Sequence, residues 1–416
     1  MTHLRLEHPR YDEQRRRALQ GIVAMCVTSI VLVSCVQVQL HNGSLNNLAP
    51  LQTVTIDNSQ PRRDDAGNIV DAHDGCLQFF NGRYYLYGTS YGRSSGFSIN
   101  NRFRVYSSPD LQHWTLEGEL LKSPPDGVYY RPYVVLNPHS RKYVLFYNWY
   151  PKLWDGKTGV AVSDTPEGPF KIVNPALDLS QKAFKPGDGS PFVDEDGTGY
   201  FIYTVIGQSH AVRIEQLTRD YLASTGKFSE VLARDCEAPA LFRRGNCYYA
   251  LMSQCCCFCS EGTAAKVFTA SSPLGPFQER DNINRPSTNE PPTVAGQETW
   301  VAQLPGEHGL VYIWMADRWN SAEDEVKGHD RQFWSAPLQF REDGTIQPIE
   351  NRTTLGATLR AGQDPIRRTT PYFWPKKHDP NPLARDPCSG KALDPAQFDG
   401  LEEQTPHSPS VVIKNL

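Results

Sequence analysis

Five short hydrophobic segments recur between residues 68 and 355 and decide the predicted fold. Each combines aromatic with β-branched residues and is bounded by Gly, Asn or Pro, which is typical of β-strands. They begin at Arg83, Lys142, Gly199, Cys247 and Gly309. A shorter strand ending in a turn precedes each segment and a further strand follows it, whereas no stretch of this region has the pattern of a long amphipathic helix.

These tandem units of three or four antiparallel strands predict an all-β fold, a five-bladed β-propeller over residues 68–355. No single unit could bury both of its faces alone, so each must pack against its neighbours. A pair of β-sandwiches is the alternative fold. It does not explain why five similar units follow one another along the chain.

The N-terminal segment has a different pattern, with arginines in residues 1–17 followed by an uncharged run over residues 18–36. A run of this length suits a membrane-spanning helix, and the arginines place its N-terminal side in the cytoplasm. We therefore expect a cytoplasmic tail, a transmembrane signal anchor and a single-pass type II protein whose larger part is lumenal or extracellular. A cleaved signal peptide and a lipoprotein signal ending at Cys35 are the alternatives.

Polar residues 37–67 are predicted to form a stem, and the proline-rich residues 356–416 a C-terminal tail. The cysteines outside the apolar run are expected to form disulfides in an exported protein. Three of them are adjacent, at 255–257, which does not suit the ligand spacing of a zinc site. Asn42 and Asn351 begin glycosylation triplets.

The net charge of −4 argues against a nucleic-acid partner, because phosphate binding needs clustered Lys and Arg. A neutral glycan suits the chain better, and no metal or other cofactor is expected.

Acidic side chains lie just before or at the start of the first strand in several blades: Asp74, Asp188 and Glu237, with Gln297 or Glu298 at the corresponding place in the fifth. Such positions converge at one end of the propeller axis, where three carboxylates repel each other and one stays protonated. A protonated acid beside a carboxylate base is what hydrolysis of a glycosidic bond requires.

Several motifs resemble those of glycoside hydrolase family 43. They are SSPDLQHWTLEG at 107–118, GDGSPFVDEDGTGYFIYT at 187–204 and CEAPALFRRGNCYYALMS at 236–253. Four shorter motifs, AHDG, YRPYVVLNP, GQETWV and MADRW, are similar to those of the exo-β-1,3-galactanase branch.

This resemblance implies that Glu237 is the general acid and that Asp188 orients it and tunes its pKa. Asp74 lies close to where most of the family has its general base, while the galactanase branch implies Gln297 instead. Two residues depart from that branch, since Tyr130 replaces a Glu and Asp74 replaces a Gly. The expected substrate-binding residues are His73, Tyr130, Arg131, Gln297, Trp300, Asp317, Arg318 and Trp319.

The sequence thus predicts a membrane-tethered glycosidase with an inverting acid/base mechanism that cleaves a β-linked neutral glycan. β-1,3-Galactan or arabinogalactan side chains are the favoured substrates. A catalytically inactive, glycan-binding propeller at the membrane surface is the alternative, and a protein-interaction propeller is a third.

Overall fold

The computed structural model describes residues 50–94, 96, 98–152, 155–207, 209–254, 263–287 and 289–360. The predicted cytoplasmic tail, the transmembrane anchor, the Asn42 triplet and nearly all of the C-terminal tail lie outside these residues and stay predictions. Within the described ranges, no helix is both long enough and apolar enough to cross a membrane.

The described strands form five blades and one closing sheet, which confirms the predicted all-β five-bladed propeller. In chain order, β1 (Leu51–Asp57) precedes the blades. Blade one contains β2 (His73–Phe80), β3 (Arg83–Ser90), β4 (Arg102–Ser108) and β5 (Thr115–Glu119). Blade two contains β6 (Val128–Leu136), β7 (Tyr143–Tyr150), β8 (Lys157–Ser163) and β9 (Lys171–Asn174). Blade three contains β10 (Lys185–Val193), β11 (Gly199–Ile206), β12 (Ala211–Leu217) and β13 (Ser224–Phe228). Blade four contains β14 (Cys236–Arg244), β15 (Cys247–Gln254), β16 (Lys266–Ala270) and β17 (Gln278–Asn282). Blade five contains β18 (Gln297–Pro305), β19 (Leu310–Arg318) and β20 (Arg331–Trp334), and β21 (Thr354–Arg360) follows it.

The first strands of the blades contact one another around the axis, as predicted. The second strands are buried on both faces, because each blade is covered by a neighbour on either side; β7 and β11 have no exposed residue. Outer strands such as β5 are largely exposed. This gradient explains why the second strands carry the strongest hydrophobic signal in the sequence.

A two-stranded sheet pairs the start of the described chain with its end. β1 lies antiparallel to β21, with Ile56 opposite Leu355, and Asn58 bonds to Trp334 of blade five. The segment predicted to be a stem therefore contributes a strand, and the fold extends slightly into the predicted tail. The alternation of Val54 and Ile56 with exposed polar residues is the pattern of a strand with one buried face.

A β-bulge or register shift occurs near the start of every first strand. In blades one, two and four, the first unpaired residue has a left-handed backbone, with φ of 57° at Asp74, 53° at Arg131 and 52° at Ala238. The bulge of blade one also needs Gly75, where a Cβ would lie 1.9 Å from the carbonyl oxygen of Tyr87. Bulges bend a strand and redirect its side chains, so this shared irregularity determines which groups reach the axis.

The cysteines follow the disulfide prediction only in part. Cys247 is disulfide-bonded. Cys76 and Cys236 are free thiols buried in two different hydrophobic clusters, so the prediction was wrong for them. Burial raises the pKa of Cys76 to about 12 and that of Cys236 to about 11, so both behave as small apolar side chains. The remaining cysteines lie outside the described residues.

Blade three depends on a buried carboxylate, which gives a test of the fold. Glu215 accepts hydrogen bonds from the Ser180 amide at 2.6 Å, from the Tyr203 hydroxyl at 3.1 Å and from the Ser180 and Ser224 hydroxyls. Glu215→Ala leaves these donors without an acceptor and should lower the free energy of unfolding by about 3 kcal/mol. Urea denaturation measures this loss. The exposed Glu230→Ala is the control and should change stability by less than about 0.5 kcal/mol; equal effects would contradict the role of Glu215.

Candidate active site

Three acidic residues occupy the bulged starts of three first strands, but at different points of the bulge. Asp74 is the first unpaired residue of its bulge, Asp188 is the second, and Glu237 is the paired residue just before it. The sequence predicts equivalent positions for the three residues, and the strand register corrects this. Asp188 and Glu237 are close enough for the charge of Glu237 to raise the pKa of Asp188, whereas the acid that acts on Asp74 is Asp317.

Arg131 carries a buried positive charge among these acids. Its Nε lies 3.1 Å from Oδ2 of Asp188, and its guanidinium donates to the Tyr133 hydroxyl at 3.2 Å. Tyr133 in turn donates to the carbonyl of Thr299 at 2.8 Å, which links blade two to blade five. Only 4% of Arg131 is exposed, so this cation is fixed in place.

Asp188 and Glu237 form the more open half of the site. The exposed fraction of the side chain is 21% for Asp188 and 12% for Glu237. Burial raises the pKa of Asp188 and the nearby Glu237 raises it further, while Arg131 opposes both effects. A backbone hydrogen bond from Ala238 joins Asp188 to the residue directly after Glu237.

His210 contacts the predicted general acid and was not anticipated from the sequence. Its Nδ1 lies 2.7 Å from Oε1 of Glu237. The hydrogen bond from His210 to Glu237 raises the pKa of the imidazole, against the effect of burial. His210 lies between β11 and β12, in the turn that follows Gly207, and no motif marks it.

Asp74 belongs to the closed half of the site. The Tyr91 hydroxyl donates to its Oδ2, and its own amide donates to Oδ2 of Asp317. Its other oxygen, Oδ1, is buried and has no hydrogen-bond partner among the described residues. Burial and the charge of Asp317 raise the pKa of Asp74 to about 7, although Arg131 and the Tyr91 hydrogen bond lower it.

His73 and Asp317 form a buried ion pair beneath Asp74, with 3.4 Å between Nδ1 and Oδ1. Burial opposes the charge on His73, yet Asp317 raises its pKa to about 9. Burial likewise opposes the charge on Asp317, but His73, a hydrogen bond with the side chain of Asp74, and Lys327 lower its pKa to about 2. Asp317 also accepts the hydrogen bond from the Asp74 amide, so this ion pair supports the backbone of Asp74. Both residues were predicted to bind substrate, and that role stays a prediction.

Blade five contributes two buried polar residues. Gln297 lies opposite Asp317 in the strand register, and its buried Nε2 has no hydrogen-bond partner in the described part of the chain. Glu298 precedes the register shift, as Glu237 does in blade four, but it accepts from the Trp314 indole at 3.2 Å. Burial raises the pKa of Glu298 to about 8, so it is protonated at neutral pH.

A hydrophobic cluster next to Asp74 contains Tyr91, Val128, Tyr130 and Trp319, with Tyr150 against it. The Tyr130 hydroxyl donates to the carbonyl of Gly96. The Lys327 ammonium lies 3.5 Å from the centroid of the Trp319 ring and pairs with Asp330. The cluster therefore holds Tyr91, and through its hydroxyl the carboxylate of Asp74, in a fixed position.

Trp300 and Arg318, the remaining predicted substrate-binding residues, are not members of this hydrophobic cluster. Trp300 follows the register shift of blade five and packs in the core, with its ring 5.3 Å from that of Tyr133. Arg318 lies opposite Arg331 in the register of β19 and β20, and the proximity of this second cation lowers its pKa in addition to burial. Their roles in substrate binding stay predictions.

No group of three or more His, Cys, Asp or Glu side chains within the described ranges has the arrangement of a metal site. What the arrangement offers is acid and base chemistry. It has a carboxyl group beside an imidazole, a second carboxyl group beside a guanidinium, and a third whose pKa of about 7 allows it to gain or lose a proton near neutrality.

Comparisons with known proteins agree with this chemistry. Residues 91–346 match the sequence model of glycosyl hydrolases family 43. A β-D-galactofuranosidase of Aspergillus niger is 26% identical over 286 residues, which cover 65% of this chain and 80% of that protein.

Two solved structures are similar as well. A family 43 β-1,3-galactosidase superposes with a TM-score of 0.63 at 26% identity, over 73% of this chain and 64% of that one. An exo-β-1,3-galactanase of Clostridium thermocellum superposes with a TM-score of 0.61 at 25% identity, over 72% of this chain and 66% of that one. The chain thus spans just under two thirds of each of these solved proteins. With the five blades and the acid cluster at their axis, the match over residues 91–346 shows that this chain belongs to glycosyl hydrolase family 43, whose members hydrolyse glycosidic bonds.

Proposed function

We propose that the protein hydrolyses a β-linked neutral glycan by an inverting acid/base mechanism, with β-1,3-galactan or arabinogalactan side chains as the favoured substrates. One observation supports the proposal most: Glu237 and Asp188 lie together at the bulged strand starts with their carboxyl groups partly exposed. A pair of this kind can protonate a leaving oxygen, because the second carboxylate favours retention of the proton by the first.

Glu237 is the general acid in this proposal, and Asp188 is a positioning residue. Asp188 is held by Arg131, which is nearly inaccessible to solvent, and its contact with Ala238 fixes its distance from Glu237. Asp188 therefore acts on the protonation of Glu237 without itself meeting the sugar ring.

The general base is Asp74 or Gln297, both of which have a buried polar atom without a described partner. Such an atom is available to a water molecule. We favour Asp74, because its pKa of about 7 lets it accept a proton near neutral pH. Asp74 and Glu237 belong to blades one and four, which are not neighbours around the axis, and this favours the wide carboxyl separation of inverting enzymes.

The substrate class is supported by the relatives. The two similar solved proteins are named as a β-1,3-galactosidase and an exo-β-1,3-galactanase, and the curated relative as a β-D-galactofuranosidase. A galactose-containing glycan is common to these names, so β-1,3-galactan oligosaccharides are the first substrates to test.

A glycan-binding protein without catalysis is the second candidate, and Tyr130 favours it. This side chain stands where galactanase-like sequences carry a Glu, and it is packed among Tyr91 and Trp319. Binding of β-1,3-galactan oligosaccharides without any release of sugar would support this candidate.

Glu237→Gln tests the general acid. The amide cannot donate the acidic proton, so kcat/KM on β-1,3-galactobiose should fall by about 10²–10⁴. An aryl galactoside whose leaving group needs no protonation should lose much less. The exposed Glu230→Gln is the matched control and should leave both rates unchanged; an equally small effect of Glu237→Gln on both substrates would refute its role.

Asp74→Asn and Gln297→Ala distinguish the two candidate bases. If Asp74 is the base, Asp74→Asn should lower kcat by at least about 10² while Gln297→Ala lowers it less. Azide should partly restore the Asp74 variant by replacing the activated water. The opposite ranking, with a nearly unaffected Asp74→Asn enzyme, assigns the base to blade five.

The pH dependence gives an independent test of Asp74. A base must be ionised, so kcat/KM should rise with pH through about 7, the raised pKa of Asp74. Tyr91→Phe removes a hydrogen bond that lowers this pKa and should move the acidic limb to higher pH. An acidic limb that stays in place in Tyr91→Phe would show that Asp74 does not control it.

A further inference from the structure

The contact between His210 and Glu237 joins two side chains of different accessibility. The imidazole is 34% exposed and the carboxyl group 12%, and their Nδ1 and Oε1 atoms are 2.7 Å apart. That distance is within the range of a charge-assisted hydrogen bond. His210 is therefore the more accessible partner of the carboxyl group proposed as the general acid.

The backbone around this contact shows that it is a built feature. Ser209 and His210 have φ of 50° and 42°, and Asp235, two residues before Glu237, has φ of 53°. Non-glycine residues adopt this region infrequently because it is strained, so the surrounding structure must impose it.

Backbone hydrogen bonds provide that constraint. The Asp235 amide donates to the Ser209 carbonyl at 2.7 Å, and the Cys236 amide donates to the His210 carbonyl at 3.4 Å. Further along, Val212 and Ala233 are bridged in the same way. The turn carrying His210 and the start of β14 carrying Glu237 are thus joined by main-chain contacts, which fix the relative position of the two side chains.

Charged groups on three neighbouring strands surround this pair. Glu237 lies on β14, Asp188 on β10, and Asp235 just before β14; each raises the pKa of His210, with the hydrogen bond to Glu237 as the largest cause. Arg131 on β6 is paired with Asp188 at 3.1 Å. The imidazole is therefore surrounded by acids, and its cationic form is favoured.

We propose that His210 is a positioning residue of the general acid, which orients the Glu237 carboxyl group and sets the pH range in which Glu237 can deliver its proton. This inference rests on the proposed role of Glu237. When Glu237 gives its proton to the leaving oxygen, the carboxylate that forms accepts a hydrogen bond from the Nδ1–H of the imidazolium. The His210 imidazolium stabilises that carboxylate. For the same reason, Glu237 loses its proton to solvent at a lower pH than it would without His210. The two groups titrate as a pair.

His210→Gln tests the proposal by kinetics, since the amide keeps a hydrogen bond but carries no charge. On β-1,3-galactobiose the basic limb of kcat/KM should move to higher pH by about one unit, and kcat should fall by more than KM changes. His113→Gln is the control, because His113 makes the same 2.7 Å contact with Asp110 on the exposed surface of blade one. The control should leave the pH profile unchanged.

Histidine NMR tests the pairing without any need for activity. In the wild-type protein the His210 imidazole should titrate above the ordinary histidine pKa, and Glu237→Gln should lower that midpoint by about one unit. An unchanged midpoint in Glu237→Gln overturns the pairing.

The outcomes separate this inference from the function it rests on. An inactive Glu237→Gln enzyme together with an unmoved basic limb in His210→Gln overturns the role of His210 and leaves the proposed function in place. Full activity of Glu237→Gln overturns both.

Discussion

The ion pair between Arg131 and Asp188 is the interaction on which the site depends. Three carboxyl groups converge where the first strands begin, and without a cation their mutual repulsion would force protons onto them or separate them. Arg131 provides that cation from a buried position, 3.1 Å from Asp188. It lowers the pKa of both Asp188 and Asp74, against the burial that raises each of them. Because it is also linked through Tyr133 to the main chain of blade five, the charge cannot move away when a ligand enters.

The backbone irregularity that places Arg131 is repeated around the axis. Each first strand has a bulge or register shift near its start, and a left-handed residue occupies the same point in blades one, two and four. Regular strands would direct alternate side chains into the spaces between blades, where apolar residues pack. The bulges instead turn selected polar residues towards the axis while the rest of each strand keeps its pairing. Fold and site are therefore specified by different residues of the same strands.

This division explains what could be predicted from the sequence. The five blades were predictable because the second strands, buried on both faces, carry a strong local signal such as RYYLYGTS. Glu237, Asp188 and Asp74 were predictable as a group, since all three occur at the starts of first strands. Their different positions within the bulges were not predictable, because a bulge shifts the register without leaving a fixed sequence pattern.

Long-range contacts account for the other features of the structure that the sequence did not predict. His210 is in a turn of blade three and meets Glu237 of blade four through folding alone, and the strand at residues 51–57 is stabilised by a partner some 300 residues later in the chain. His73 and Asp317 illustrate the same limit. They occur in separate sequence motifs, and only the folded chain brings them together as a buried ion pair.

The stereochemistry of the first product tests the central claim most directly. If Glu237 and Asp74 act from opposite sides of the axis, water attacks the face opposite the leaving group and the configuration at the anomeric carbon is inverted. Proton NMR of a fresh reaction with β-1,3-galactobiose should therefore show α-galactose from the cleaved bond before mutarotation forms the β-anomer. Release of β-galactose as the first product would mean retention of configuration, and would contradict the proposed arrangement of acid and base.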